Sequence, residues 1–206
     1  MPNCLIENNI IERFDFIMNI ISGLARNLEL ASLPDCGIRP TSARARKALF
    51  DSLGNFSGKT ILDLFSGSGA LALESASRGA AKIFMVEREI DHIQCIRENC
   101  RRVSAAGVDC EMTILEFDAL QPERYLNKLT AIPDIIFADP PYAESGKYFR
   151  QLMDDHHFCE TLSSCRIIWE IPDTPGAMAD FLECNSLTGN SFRRFGSTFF
   201  LSGNIK

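Results

Sequence analysis

Short apolar runs alternate with amphipathic stretches along this chain, and the alternation predicts its architecture. Thr60-Ile-Leu-Asp-Leu-Phe65 has the length and composition of a strand buried on both faces. Lys82 to Val86, Cys110 to Leu115 and the run ending at Ala138 follow as a second, third and fourth strand. Between them, apolar residues recur at helical spacing. Ala45, Ala48, Leu49, Leu53 and Phe56 mark a helix over 42–56, which Thr41 or Ser42 can cap and Gly54 or Gly58 can close. Ala70 to Arg78 is a second helix, closed by Gly79, and Ile90, Ile93, Ile96, Cys100 and Val103 mark a third, stopped near Gly107. A helix is expected over Pro122 to Ala131, another over Gly146 to Asp154 and another over Pro175 to Cys184, with a strand at Arg166 to Ile171. The aromatic tail from Ser191 to Ser202 alternates around Gly196 and suggests an antiparallel pair. Strand and helix in regular alternation imply an α/β fold: a doubly wound, mostly parallel, Rossmann-like sheet with a C-terminal antiparallel hairpin.

Composition narrows the class. At 206 residues, 46% hydrophobic and 23% charged, the chain is of the size and kind of one soluble globular domain. No apolar stretch approaches the roughly 20 residues of a membrane span. Met1 to Ile17 carries Glu7, Glu12 and Asp15 against Arg13 and lacks the basic and apolar regions of a signal peptide. The eight cysteines show no Cys-x-x-Cys and no metal-type pairing with the three histidines, so no metal site and a reducing, cytoplasmic setting are expected. His156-His157 reads as a loop pair near a helix end. The net charge of −6 argues against a general polyanion binder. Residues 18–50, however, hold five bases (Arg26, Arg39, Arg44, Arg46, Lys47) against two acids (Glu29, Asp35), a local basic patch.

The candidate chemistry lies at strand ends. Asp139-Pro140-Pro141-Tyr142 stops the fourth strand as a rigid corner, because each proline fixes φ and removes an amide donor. The Asp139 carboxylate and the Pro140 carbonyl can accept two N–H bonds from an exocyclic amino group while Tyr142 stacks on the base. At the first strand, Asp63-Leu-Phe65-Ser66-Gly67-Ser-Gly69 is a strand, a glycine turn and a helix start. Gly67 and Gly69 admit close backbone approach, and Phe65 and Ser66 lie in the path of the loop. Glu87, about 20 residues on, is placed to bind two ribose hydroxyls. Gly67-x-Gly69-x-x-Ala72 also fits the looser dinucleotide fingerprint, and a glycine turn can serve as a strand–helix connection alone. Two details favour S-adenosyl-L-methionine over a nicotinamide cofactor. Asp63 suits an ammonium and repels a pyrophosphate, and Asp118-Ala119 offers an acceptor and an amide to an adenine edge.

With these residues assembled, the chain from Met18 onward resembles the bacterial 16S ribosomal RNA guanine-N2 methyltransferases of the RsmD type. Met18-Asn-Ile-Ile-Ser-Gly23, Arg39-Pro-Thr-Ser-Ala-Arg44 and Ala48-Leu-Phe50 look like that family's opening hairpin and helix. Leu62 to Leu71, Leu73-Glu74 and Ser77-Arg-Gly-Ala80 match its cofactor loop and following helix. Asp139-Pro-Pro-Tyr142 and Arg194-Phe-Gly-Ser-Thr198 correspond to its catalytic and C-terminal signatures. Ala72 stands where a glycine is usual, and Glu89 follows Glu87 where Asp is common.

The resemblance implies a seven-stranded class I methyltransferase over 58–206, a hairpin and helix over 18–57 that contact RNA, and an extension, 1–17, without a counterpart. That extension is expected to be disordered or to follow from an upstream start. The cofactor would be S-adenosyl-L-methionine, held by Asp63, Phe65, Ser66, Gly67, Gly69, Glu87, Asp118, Ala119 and Asp139. The acceptor would be the N2 of a guanine in 16S rRNA, within an assembled or partly assembled small subunit, with Asp139, Pro140, Pro141 and Tyr142 as the catalytic corner. Arg26, Arg39, Arg44, Arg46 and Lys47 become candidate RNA contacts, against the alternative of solvated helix and loop charge. The protein would act as a cytoplasmic monomer. An adenine-N6 or other amino-directed methyltransferase would use the same corner, and a nicotinamide oxidoreductase is the more remote alternative.

Overall fold

Two layers of helices cover a seven-stranded sheet in a computed structural model that describes residues 15–33, 43–171, 173, 177–182, 184–196 and 198–206. Strands β3 (Thr60–Leu64), β4 (Lys82–Val86), β5 (Glu111–Leu115), β6 (Ile135–Ala138) and β7 (Arg166–Ile171) run parallel. The antiparallel β8 (Leu187–Phe195) and β9 (Thr198–Ile205) complete the order β5-β4-β3-β6-β7-β9-β8. The chain winds outward from β3 to β5 and then returns to β6. Strand order therefore reverses between β3 and β6, where a crevice opens beyond the carboxyl ends. Leu64 pairs with Ala138, which sets the two strand ends side by side.

The strands are apolar runs because both faces are covered. Leu62, Leu64, Phe84, Val86, Ile136 and Trp169 join one core, and Ile61, Ile83, Met85, Phe137 and Ile168 join the other. The connecting helices are α1 (Ala43–Leu53), α2 (Ala70–Ser77), α3 (Ile90–Ala105), α4 (Pro122–Tyr125), α5 (Ser145–Met153), α6 (His156–Thr161) and α7 (Ala179–Leu182).

Several expectations are corrected. The helix foreseen over 122–131 is one α turn followed by a 3-10 turn, Leu126–Lys128. It ends early because the chain must return to start β6 beside β3, where the Thr60 amide bonds Asp134 Oδ2 at 2.8 Å and the Asp134 amide bonds the Thr60 carbonyl at 2.8 Å. His156-His157 opens α6 rather than sitting in a loop, because Asp155 caps that helix by accepting from the Phe158 amide at 2.8 Å. Of the helix foreseen over 175–184, the described part is Ala179–Leu182.

A two-stranded hairpin, β1 (Asp15–Asn19) and β2 (Glu29–Ser32), precedes the sheet and is strapped to it. Glu74 of α2, fully buried, accepts from the Ile21 amide at 2.7 Å, the Ser22 amide at 3.1 Å and Arg78 Nε at 2.6 Å. Gly23 adopts φ +83°, and a Cβ there would lie 1.9 Å from the Ser77 carbonyl oxygen, so only glycine fits this approach. On the other strand, Asn99 of α3 accepts from the Ala31 amide at 2.7 Å and donates to the carbonyls of Ala31 and Ser68, both at 2.9 Å. The hairpin is thereby tied to the glycine loop. Among the described residues, no helix is long and apolar enough to cross a membrane.

Candidate active site

A cavity of about 450 Å³ fills the crevice where strand order reverses. Asp63, Glu87, Asp118 and Asp139, the four acids predicted at strand ends, all border it, as do Phe65, Ser66, Gly67, Ala119 and Pro141. Pro140 and Gly69 are not among the lining residues, and the Tyr142 side chain lies outside the described residues. Pro140 is buried, and Gly69 stands at the start of α2 with φ +77°, a left-handed conformation that favours glycine, although a Cβ there would make only ordinary contacts with Leu73, Met85 and Ile96 at 3.4–3.6 Å.

Asp63 is an acid at a core-facing position, 2% exposed, with Oδ2 accepting from the Ala72 amide at 3.3 Å. Burial pushes its carboxyl well above the usual range, the Ala72 amide opposes this, and the charge of Glu87 adds to the rise. The chain then turns through Phe65 at φ +58°, an uncommon conformation for a bulky residue. Its ring holds the turn by stacking on Tyr148 (5.7 Å between centroids, 9° between planes) and meeting Trp169 edge-on. Ser66 Oγ donates to the Asp63 carbonyl at 2.7 Å, and the Gly69 amide donates to the Ser66 carbonyl at 2.7 Å.

Glu87 is held by backbone. Oε2 accepts from the Gly67 amide at 2.8 Å, and Oε1 accepts from the amides of Arg88 (2.8 Å) and Glu89 (3.0 Å). Burial alone would raise its pKa, but His92 and the amides outweigh it and hold the carboxyl below its ordinary value. His92 Nδ1 lies 3.6 Å from Oε2, and that contact raises the imidazole pKa against the effect of burial. Asp118 accepts from the Leu120 amide and from Arg88 Nη1, both at 3.0 Å. Asp139 is half-buried one residue beyond β6, and Tyr142 begins a 3-10 turn, Tyr142–Glu144.

The candidate RNA contacts differ in exposure and setting. Arg44 is exposed in the first turn of α1, and Lys47 pairs with Asp51 at 2.5 Å. Arg26 is exposed in the hairpin turn, whose neighbouring amides bond Glu74 and Ser77 in the last turns of α2, away from the cavity. Arg39 lies outside the described residues. Arg46 is 2% exposed and lines the cavity, so it is no part of an open surface. Sequence reasoning gave no site role to Met18, Phe117, His92 and Tyr148, which are among the further lining residues.

A family model described as "Conserved hypothetical protein 95" matches residues 18–180. The chain belongs to this family, the RsmD-type methyltransferases. Ribosomal RNA small subunit methyltransferase D of Buchnera aphidicola (strain APS) is 32% identical over 139 residues, which is 66% of this chain and 68% of that one. YlbH of Bacillus subtilis, provisionally an rRNA methyltransferase, is 30% identical over 145 residues, 69% of this chain and 77% of its own. The solved structure of Escherichia coli yhhF, provisionally a methyltransferase, superposes with a TM-score of 0.68 at 24% identity, covering 91% of this chain and 98% of that one. The sheet is thus a class I methyltransferase sheet, and a methyl-donor cofactor of the S-adenosylmethionine type goes with the family.

The cavity suits that cofactor. Asp63 is a buried acid of the kind that could answer an ammonium, Glu87 one that could answer a diol, and a Cβ at Gly67 would meet nothing within 4 Å, which leaves open room above the loop.

Proposed function

We propose that this protein transfers a methyl group from S-adenosyl-L-methionine to the exocyclic N2 of a guanine in 16S rRNA, acting in the cytoplasm on an assembled or partly assembled small subunit. The observation that carries the reading is the convergence of Asp63, Glu87, Asp118 and Asp139 on one cavity. The relatives named as rRNA methyltransferases direct it to ribosomal RNA.

When bound, the cofactor supplies an electrophilic methyl on its sulfonium. Glu87 would hold the ribose hydroxyls, Asp118 and Ala119 the adenine edge, and Asp63 the ammonium, with Phe65, Ser66 and Gly67 shaping the floor. The amino nitrogen of guanine is a poor nucleophile, since its lone pair is delocalised into the ring. Asp139 and the Pro140 carbonyl would accept hydrogen bonds from its two N–H groups and favour a pyramidal nitrogen whose lone pair faces the methyl. As the N–C bond forms and the S–C bond breaks, the nitrogen would shed one proton, to Asp139 or to water. Alignment and charge stabilisation supply most of the acceleration. Tyr142, which follows Pro141, would stack on the base after it leaves its helix, at a cost of about a few kcal/mol. Pro140 and Pro141 keep the corner stiff.

The test is methylation of small subunits from cells that lack the enzyme, followed by mass analysis of nucleosides. N2-methylguanosine at one 16S position is expected. Methyl groups on adenine N6, or on no ribosomal nucleoside, would refute the substrate.

A further inference from the structure

Resting on that cofactor reading, we propose that Arg46 binds the α-carboxylate of the amino-acid end of S-adenosyl-L-methionine, opposite Asp63 at its ammonium. An α-amino acid presents both charges on one carbon, so an acid alone would leave half of a zwitterion without a partner in a buried site.

Arg46 has the position and the vacant donors for this role. It borders the cavity with Ala70 and Leu71 of α2 and with Met18 and Ser32 of the hairpin, yet it is 2% exposed. Of its five N–H donors, one is matched among the described residues: Nη2 donates to the Asn19 carbonyl at 2.6 Å. Nε is buried with no partner among the described residues. Glu74, the acid whose charge reaches it, commits Oε2 to Ile21 and Oε1 to Ser22 and Arg78. A guanidinium left so undersatisfied is costly unless an anion completes it.

The placement matches the zwitterion. Asp63 reaches the Ala72 amide, and Arg46 lies within electrostatic range of Glu74, so both charges border the first two turns of α2. The N-terminal end of that helix further favours a carboxylate.

Binding of two ligands separates this role from others. S-adenosylhomocysteine carries the carboxylate; S-adenosyl-3-thiopropylamine is the same molecule without it. By calorimetry, the wild-type protein should bind the first tighter by roughly tenfold to a hundredfold. Arg46→Gln should weaken S-adenosylhomocysteine by a similar factor and shift the decarboxylated ligand less than about twofold. Arg46→Lys, which keeps charge without the planar fork, should fall between.

Equal affinity of the wild-type protein for the two ligands overturns the assignment, whether or not a variant folds. So does equal weakening of both in Arg46→Gln, the mark of a role confined to holding Asn19. Weakened RNA binding with S-adenosylhomocysteine unaffected would make Arg46 a phosphate contact instead and overturns it too. Failure of the wild-type protein to bind either ligand would overturn the cofactor reading as well.

Discussion

The two sides of the cavity are made rigid by different means. On the β3–β4 side, hydrogen bonds set the geometry before any ligand arrives: Glu87 accepts three backbone amides, Asp63 accepts one, and Asn99 ties the glycine loop to the hairpin. On the β6 side the stiffness is covalent, from two proline rings that have no amides to give, and Pro141 is exposed. A side closed by its own backbone suits a small molecule with fixed polar groups. An open corner of fixed backbone suits a base delivered on a macromolecule, whose phosphates and neighbours complete the enclosure.

Substitutions on the two sides should therefore act on different measured quantities. Asp139→Ala should lower turnover about a hundredfold to a thousandfold, since in the proposed mechanism it removes the acceptor for the reacting amine. Affinity for S-adenosylhomocysteine should stay within about twofold. An equal loss of cofactor affinity would erase the distinction between the sides.

Glu87→Ala should do the converse. Affinity for S-adenosylhomocysteine should fall about tenfold to a hundredfold, because a charged acceptor is removed and the Gly67 amide is left without its partner. Turnover at saturating cofactor should change far less. A collapse of saturated turnover with unchanged affinity would assign Glu87 to the chemistry instead.

The contrast also has a pH signature on the cofactor side. In the free protein, burial and the Glu87 charge raise the Asp63 carboxyl above its ordinary range, against the Ala72 amide. A raised carboxyl stabilises the fold below the unfolded value, and that contribution is lost as pH rises through the folded one. An ammonium alongside favours the ionised form, so binding should lower this pKa and release a proton. Affinity for S-adenosylhomocysteine should rise with pH across the interval between the free and bound values. Calorimetry in two buffers of different ionisation enthalpy should register proton release, which Asp63→Asn should abolish. Proton uptake, or none in the wild-type protein, would remove Asp63 from the ammonium site.

Much of this was legible in the sequence, for a physical reason. A parallel strand covered on both faces must be apolar, so an acid at its end marks the place where the chain leaves the core. All four such acids border the cavity. The hairpin was not legible from pattern: its strands are short, its turn is held by Glu74 and Ser77 far along the chain, and only the family resemblance foresaw it. Arg46 was misplaced by its charge. Its phase was the better guide, since Arg46, Leu49, Phe50 and Leu53 share one face of α1, and the first three are buried.

The open side has its own signature, in salt. Arg44 stands in the first turn of α1, the turn that also carries the cavity-lining Arg46, whereas Lys47 pairs with Asp51, which reaches Arg78 at the far end of α2, and Arg26 stands beside that same end. The Lys47–Asp51 pair is exposed and worth no more than about 1 kcal/mol, so Lys47 can exchange it for a phosphate. Reversing the charge of Arg44 and Lys47 together should flatten the dependence of RNA affinity on salt, by about one unit of slope for each phosphate no longer neutralised. Reversal at Arg26 should leave the slope nearly unchanged. If Arg26 moves the slope as much as Arg44 does, the RNA follows the hairpin to the opposite end of the molecule, and the proline corner is not its only anchor.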